Sequence, residues 1–397
     1  MIVGKHEQPR LDRLGAYPFQ RLRRLLAGVR PASGLVPIDA GAGEPRLPQP
    51  AFVAPQLEEY LNEFSQYPPT SGALFVREAM ASWLVRRYGL ASVDPSTQVL
   101  TANGTREALF SVAQALVNPE VKSKPRVLMP NPMYQIYYGG AVMAGARPWL
   151  MTCTEATQFA PDLEAVPGDV WMETAFVYVC SPSNPTGWVA DHDWYRCLIE
   201  LADEHDFYIV ADECYSEIFW REQPVGLLEV CQSIGRADFS RCLVMNSLSK
   251  RSALPGLRSG LIAGDARLIA RFAKLRSYTG PATPLPLQRI AAMAWSDEYH
   301  VGVNQETYRR SLQAFYEVWG HGSPPAGTFF VWLDVGDGEA FARAAYQQQA
   351  VTVLPGAYLS ARDGSGKNPG TSYIRAALVD GEDQAAELAR RLRQVRV

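Results

Sequence analysis

Residues Phe207 to Tyr215 read Phe-Tyr-Ile-Val-Ala-Asp-Glu-Cys-Tyr, a mainly apolar run that ends abruptly on the carboxylate of Asp212. An unbroken apolar run of this length, closed by polar residues, has the form of a strand buried on both faces of a parallel sheet. The same form recurs outward along the chain, in Phe176–Cys180 (FVYVC), Cys242–Asn246 (CLVMN) and Gly260–Gly264 (GLIAG). Gln98–Thr101 (QVLT) precedes a helical pattern opening at Gly104, and Arg126–Pro130 (RVLMP) precedes another opening near Met133. Strands separated by helix-length segments predict an α/β chain: a mostly parallel sheet flanked by helices on both faces.

The pattern changes at the Pro-rich break Pro281–Pro286. A long helical stretch from about Asp297 to Trp319 follows, then strand patterns at Thr328–Val335, Val351–Leu354 and Ser372–Val379, and a last helix at about Asp383–Val395. These predict a smaller α+β domain. The first fifty residues, rich in Pro and Gly with one amphipathic patch at Phe19–Leu26, read as an arm packed against it. The expected division is residues 1–46 as arm and part of the small domain, 47–284 as the large domain, and 285–397 as the C-terminal small domain. A length of 397 residues accommodates such a pair.

Composition narrows the function classes. With 38 basic and 41 acidic residues the formal net charge is −3, which gives no electrostatic case for nucleic-acid binding. The six cysteines are scattered singly, with no C-x-x-C pair and no H-E-x-x-H cluster, so no metal site is expected. No stretch approaches the ~18 consecutive apolar residues of a membrane helix. Met1–Arg13 carries charges without an apolar core, unlike a signal peptide. A cytoplasmic protein with reduced thiols is the expectation.

In an open α/β sheet, ligands bind beyond the carboxyl ends of the strands. Four polar segments follow predicted strands: Asn103-Gly104-Thr105-Arg106, Ser183-Asn184-Pro185-Thr186-Gly187, Asp212-Glu213-Cys214-Tyr215 and Ser247-Leu248-Ser249-Lys250. A lysine in an apolar site or beside cations has a lowered pKa and can form a Schiff base, although a lysine read alone is more commonly a solvated one. A carboxylate emerging at the buried floor of a sheet needs a positive partner, and Asp212 read alone serves equally well as a helix N-cap. Gly104-Thr105-Arg106 opens a helix, where free backbone N–H groups attract phosphate. Neither a Walker loop nor a complete Rossmann fingerprint is present. A Schiff-base lysine, an aspartate for a pyridinium and a phosphate cradle together describe pyridoxal 5'-phosphate.

Ser247–Lys250 followed by Pro255-Gly256-Leu257-Arg258-Ser259-Gly260, with Asn184-Pro-Thr-Gly187 and Asp212–Tyr215 in order, resembles the signature of class I/II pyridoxal-phosphate aminotransferases of fold type I. The likeness runs from Ile38 to Arg375. It implies that Lys250 holds the cofactor as an internal aldimine and moves the proton between the substrate Cα and C4′. It further implies that Asp212 pairs with the pyridine nitrogen, and that Asn184 and Tyr215 bond the ring 3′-oxygen. Tyr134 would stack on the ring. Gly104, Thr105, Arg106, Ser247, Ser249 and Arg258 would form the phosphate cup. Arg106 is unusual there, and the resemblance leaves open whether it meets phosphate or substrate. Arg375 would bind the substrate α-carboxylate as a bidentate fork, with the Gly43 backbone against it. Tyr67 would reach the phosphate across the interface of a homodimer with shared active sites.

Longer segments, Pro9–Leu14, Tyr17-Pro-Phe19, Asn103–Phe110, Asn131–Tyr137 and Ser247–Ser252, are most similar to bacterial N-succinyldiaminopimelate aminotransferases. That likeness implies amino transfer between N-succinyl-L,L-2,6-diaminopimelate and 2-oxoglutarate, with glutamate as the counterpart donor. A distal anion on the substrate calls for a second basic group, for which Arg251, Arg276, Arg289, Arg362 and Lys367 are candidates by position. Aminotransferases for aspartate, aromatic or other amino acids share the cofactor residues. A pyridoxal-phosphate lyase or a non-catalytic sensor are the remaining alternatives.

Overall fold

Apolar residues alternate between the two faces of the central sheet with the period of two that a strand imposes. Val177, Val179, Ile209, Ala211 and Val244 enter one core, while Phe176, Tyr178, Val210, Leu243 and Met245 enter the core on the opposite face. The computed structural model describes residues 8–121, 123 and 125–397. Residues 1–7, which hold half of the charged N-terminal stretch, lie outside the described residues.

The large sheet has seven strands: β1 (Val99–Ala102), β2 (Arg126–Asn131), β3 (Arg147–Thr152), β4 (Thr174–Cys180), β5 (Tyr208–Asp212), β6 (Cys242–Ser247) and β7 (Gly260–Gly264). Their spatial order is β1-β7-β6-β5-β4-β2-β3. Every neighbouring pair is parallel except those made by β7, which runs against both β1 and β6. The sheet is therefore mostly parallel, as its apolar strands require. Strand β3, Arg-Pro-Trp-Leu-Met-Thr, was not foreseen. It is one of the two edge strands and only partly buried, and Pro148 within its short apolar stretch argues against a strand by sequence although an edge tolerates it.

Parallel direction decides where the polar strand ends go. β1, β2, β4, β5 and β6 all finish on one edge of the sheet, and β7 begins there because it is reversed. In register, Ala102 and Ser247 both face Gly260, Asp212 faces Met245, and Cys180 faces Asp212. Six polar segments thus emerge side by side.

The smaller layer contains a three-stranded antiparallel sheet, in which Tyr373–Ala377 lies between Leu354–Pro355 and Phe330–Asp334. Ile38–Asp39 of the N-terminal arm pairs in parallel with Val351–Thr352. Ile38 and Ala40 share a core with Leu312, Phe315, Val331, Ile374 and Leu388, so the arm and the C-terminal segment are one packing unit. The single strand expected at Val351–Leu354 is split between these two ladders.

Helix Leu285–Ser296 lies past the expected boundary at 284, yet Ile290, Ala291, Ala294 and Trp295 pack in the core of the large sheet. Trp295 meets Trp83 with ring centroids 4.7 Å apart. The chain crosses to the smaller layer only through the following helix, Tyr299–Trp319, whose Leu312, Phe315 and Trp319 enter the small core. Trp295→Ala is expected to cost about 3–5 kcal/mol of stability, the usual penalty for emptying a buried tryptophan site. Urea unfolding followed by far-UV circular dichroism measures it, and a loss under about 1 kcal/mol would contradict the packing described.

Candidate active site

The edge at which the strands end opens into a cavity of about 700 Å³. Its wall includes Gly43, Thr105, Arg106, Tyr134, Asn184, Asp212, Tyr215, Ser247, Ser249, Lys250, Arg258 and Arg375. Gly104, whose residue precedes Thr105, sits at the same corner. Tyr67 does not: its side chain is fully exposed and forms no part of this wall.

Asp212 closes β5 at the cavity floor, where it is 5% exposed. The phenol of Tyr137 donates to its Oδ2 at 2.7 Å, and the backbone N–H of Cys214 donates to Oδ1 at 3.3 Å. Both donors are neutral. Burial raises the pKa of Asp212, opposed by those two hydrogen bonds and by the charge of Lys250. The carboxylate is thus short of a cation at close range.

Lys250 stands across the cavity, at the end of a four-residue helix, Leu248–Arg251. Its ammonium donates to the carbonyl of Gly43 and lies 5.6 Å from the ring centre of Phe329. Burial, aided by the positive charge of Arg375, pulls its pKa from 10.5 down to about 8. An amine so placed is neutral in an appreciable fraction near physiological pH.

Arg375 projects from the central strand of the small sheet and is 4% exposed. It donates to Asn184 Oδ1 at 2.9 Å and to the Gly41 carbonyl at 2.8 Å, and stacks 4.1 Å over Phe330. Its buried Nε has no hydrogen-bond partner among the described residues. Burial lowers its pKa to about 10, which still leaves it charged at neutral pH. Gly43 is required by close approach, because a Cβ there would run into the Phe330 ring.

The opposite corner is built for an anion. Gly104 adopts φ 74° as the N-cap of helix Thr105–Leu116, and a Cβ on it would collide with the Arg258 guanidinium. Arg258 donates to the carbonyls of Asn103 and Pro255, each at 2.9 Å. Ser247 Oγ and Ser249 Oγ are 2.9 Å apart beside them. Free N–H groups of a helix start, two hydroxyls and a guanidinium suit a phosphate. Together with the cation-short Asp212 and the Lys250 amine, this donor set fits pyridoxal phosphate.

Arg106 is turned away from that corner. Its Nε donates to the Tyr134 hydroxyl at 2.8 Å and its terminal nitrogen to the Tyr17 hydroxyl at 2.7 Å, at the exposed mouth. The distal-charge candidates are committed elsewhere, and none lines the cavity of this chain. Arg251 pairs with Glu298 at 2.7 Å, Arg276 with both oxygens of Glu107 at 2.6 and 2.7 Å, and Arg289 with Glu63 at 2.8 Å. Arg362 and Lys367 are exposed in a separate turn. Within this chain none of the five reaches the mouth: Arg251, Arg276 and Arg289 neutralise partners of their own, and Arg362 and Lys367 stand in the separate turn.

Residues 37–392 match the family model described as aminotransferase class I and II. The chain belongs to this aminotransferase family. Its members use pyridoxal 5'-phosphate, in accord with the donor set above. The aminotransferase fold is also seen in a crystal structure of an aminotransferase from Neisseria meningitidis, with a TM-score of 0.93 and 38% identity, covering 97% of this chain and 99% of that one. An LL-diaminopimelate aminotransferase of Moorella thermoacetica is 30% identical, with 98% of each chain covered. A probable N-succinyldiaminopimelate aminotransferase of Thermus thermophilus has a TM-score of 0.79 at 26% identity, covering 94% of this chain and 98% of that one.

Several residues of this aminotransferase cavity were not singled out by sequence: Tyr17, Glu44, Tyr137, Cys214 and Phe330. Tyr17, Tyr137 and Cys214 stand in quoted segments, but spacing does not show which of their side chains turns toward the strand ends. Among the described residues no group of three or more His, Cys, Asp or Glu could hold a metal ion, and no helix is long and apolar enough to cross a membrane.

A lysine protonating at about 8 when folded and 10.5 when unfolded makes the unfolded state bind the extra proton between those pH values. Stability of the cofactor-free protein should therefore rise with pH across that window. Lys250→Met should flatten the rise, as read from urea midpoints. An identical pH slope in both proteins would contradict the depressed pKa.

Proposed function

We propose that this aminotransferase exchanges an amino group between N-succinyl-L,L-2,6-diaminopimelate and 2-oxoglutarate, in the cytoplasm, as a homodimer. The observation that carries the reading is the buried fork of Arg375, with its unpartnered Nε, facing the pKa-depressed amine of Lys250 across one cavity. A guanidinium held this way grips a carboxylate bidentately and fixes the adjoining Cα–H bond toward the amine.

Lys250 would hold the cofactor through its amine, and Asp212 would pair with the ring nitrogen. Ser247, Ser249, Arg258 and the N–H groups at Gly104 and Thr105 would take its phosphate. Asn184 keeps its amide N–H₂ free to donate to the ring oxygen while its Oδ1 accepts from Arg375. Tyr215 would bond the same oxygen, and Tyr134 would lie on the ring face. Bound, the cofactor supplies an electron-withdrawing ring conjugated to the substrate nitrogen, which acidifies the Cα–H bond. Released from the cofactor when the donor's own amine takes its place, the Lys250 amine would accept the Cα proton and return it, as a general base and acid with a pKa near the working pH. The exposed Tyr67 ring is suited to reach the phosphate corner of a second copy.

Support for the succinylated donor comes from the name of the Thermus relative and from Arg106, the cation at the mouth that can meet a distal carboxylate, whereas the Moorella relative's name supports the free diamine. A second reading is free L,L-diaminopimelate. Its distal end carries an ammonium as well, and Glu44 on the cavity wall is an exposed carboxylate suited to it.

A panel of amino donors with 2-oxoglutarate separates these. Arg375→Ala should lower kcat/KM on the order of a hundredfold for every donor. Arg106→Ala should selectively impair donors with a distal carboxylate, and Glu44→Gln only free diaminopimelate. Turnover of the succinylated donor alone supports the first reading, and of the free one alone the second. Activity confined to aspartate or aromatic donors, or keto-acid release without an acceptor, would overturn both.

A further inference from the structure

Lys250 is followed by Arg251 and Ser252, both buried and neither on the cavity wall. The helix that ends here has only four residues, too few to hold its own orientation, so its placement depends on tertiary ties. Those ties are concentrated on one place. The Arg251 guanidinium donates to the Ala294 carbonyl and, at 2.7 Å, to Glu298 Oε1, with the rings of Trp83 and Trp295 at 5.6 and 5.5 Å. Asn304 Nδ2 donates to the Arg251 carbonyl at 3.3 Å. Ser252 Oγ lies 2.8 Å from His300 Nε2, and His300 Nδ1 meets the Asp297 carboxylate, which also accepts the His300 backbone N–H at 3.2 Å.

The hydrogen-bonding partners lie between Ala294 and Asn304, where the helix packed on the large core gives way to the helix that enters the small core. The order serine–histidine–aspartate is that of a hydrolytic relay, but Ser252 is 0% exposed and no substrate reaches it. Burial and the charge of Arg251 outweigh Asp297 and Glu298 and hold the His300 pKa below its usual value. The ring is therefore neutral at neutral pH. With Nδ1–H donating to Asp297, Nε2 is an acceptor and the Ser252 hydroxyl must donate to it.

We propose that Arg251 and His300 are positioning residues for Lys250: through the Ser252–His300–Asp297 relay and the Arg251 ion pair, the chain crossing between the two domains sets where the Lys250 amine sits. Movement of the small domain then reaches the amine through this junction. The inference rests on the reading of Lys250 as the cofactor-bearing lysine.

The test uses the holoenzyme and the variants His300→Phe, His300→Gln and Ser252→Ala. Two readouts are followed: the pH midpoint of the visible cofactor band, and the split between kcat and KM for a good amino donor. His300→Phe and Ser252→Ala should move the band's pH midpoint and lower kcat on the order of tenfold or more, with KM little changed. His300→Gln, which restores an acceptor to Ser252, should recover most of both. Ser252→Ala removes one hydroxyl and decides the matter should His300→Phe not fold. A band midpoint and kcat unchanged in Ser252→Ala and His300→Phe, with only thermal stability lowered, would overturn the proposal. A wild-type protein without any visible band would instead overturn the cofactor reading beneath it.

Discussion

Asp212, Lys250 and Arg375 hold their charges around one cavity where burial works against all three, raising the carboxyl pKa and lowering those of the amine and guanidinium. Buried charges of this kind are costly unless a partner compensates them. Here the protein supplies only part of the compensation: neutral donors to Asp212, a carbonyl to Lys250, and two acceptors with one orphaned nitrogen for Arg375. The remainder matches a cationic ring nitrogen, an aldehyde carbon and a carboxylate. The cavity is thus preorganised for a cofactor and an amino acid together.

The sheet explains how this arrangement is reached. Parallel strands deliver their last residues to a common edge, and the reversed β7 adds Arg258 to the same edge from its start. The small domain closes the cavity from the other side with Arg375, and the N-terminal arm contributes Gly43 and Tyr17. On the proposed reading, one layer would bind and tune the ring while the other would grip the substrate. The helix pair meeting at Asp297 links the two, which is why ties from Arg251 and Ser252 to that junction bear on the lysine.

Much of this was legible in the chain. Central strands such as Phe176–Cys180 and Tyr208–Asp212 are apolar on both faces, so their class and their polar ends could be read directly. The ordered motifs at Asn184, Asp212, Lys250 and Arg258 then named the chemistry. Strand Arg147–Thr152 was illegible because Pro148 reads as a break in a strand pattern, although an edge strand tolerates it. The place of helix Leu285–Ser296 was illegible because a Pro-rich break marks a turn and says nothing about which core the next helix joins. Tyr137 and Glu44 were missed for a related reason: their roles depend on contacts between segments far apart in sequence. The partners of Arg276 and Arg289, Glu107 and Glu63, were illegible because an arginine's partner is set by tertiary packing.

On the proposed reading, Lys250 is the residue to which the cofactor is joined. Borohydride reduction of the purified protein, followed by proteolysis and mass spectrometry, tests it most directly. A single reduced pyridoxyl-phosphate adduct on the peptide carrying Lys250 is predicted. An adduct on another lysine, or none with cofactor present in excess, would contradict it.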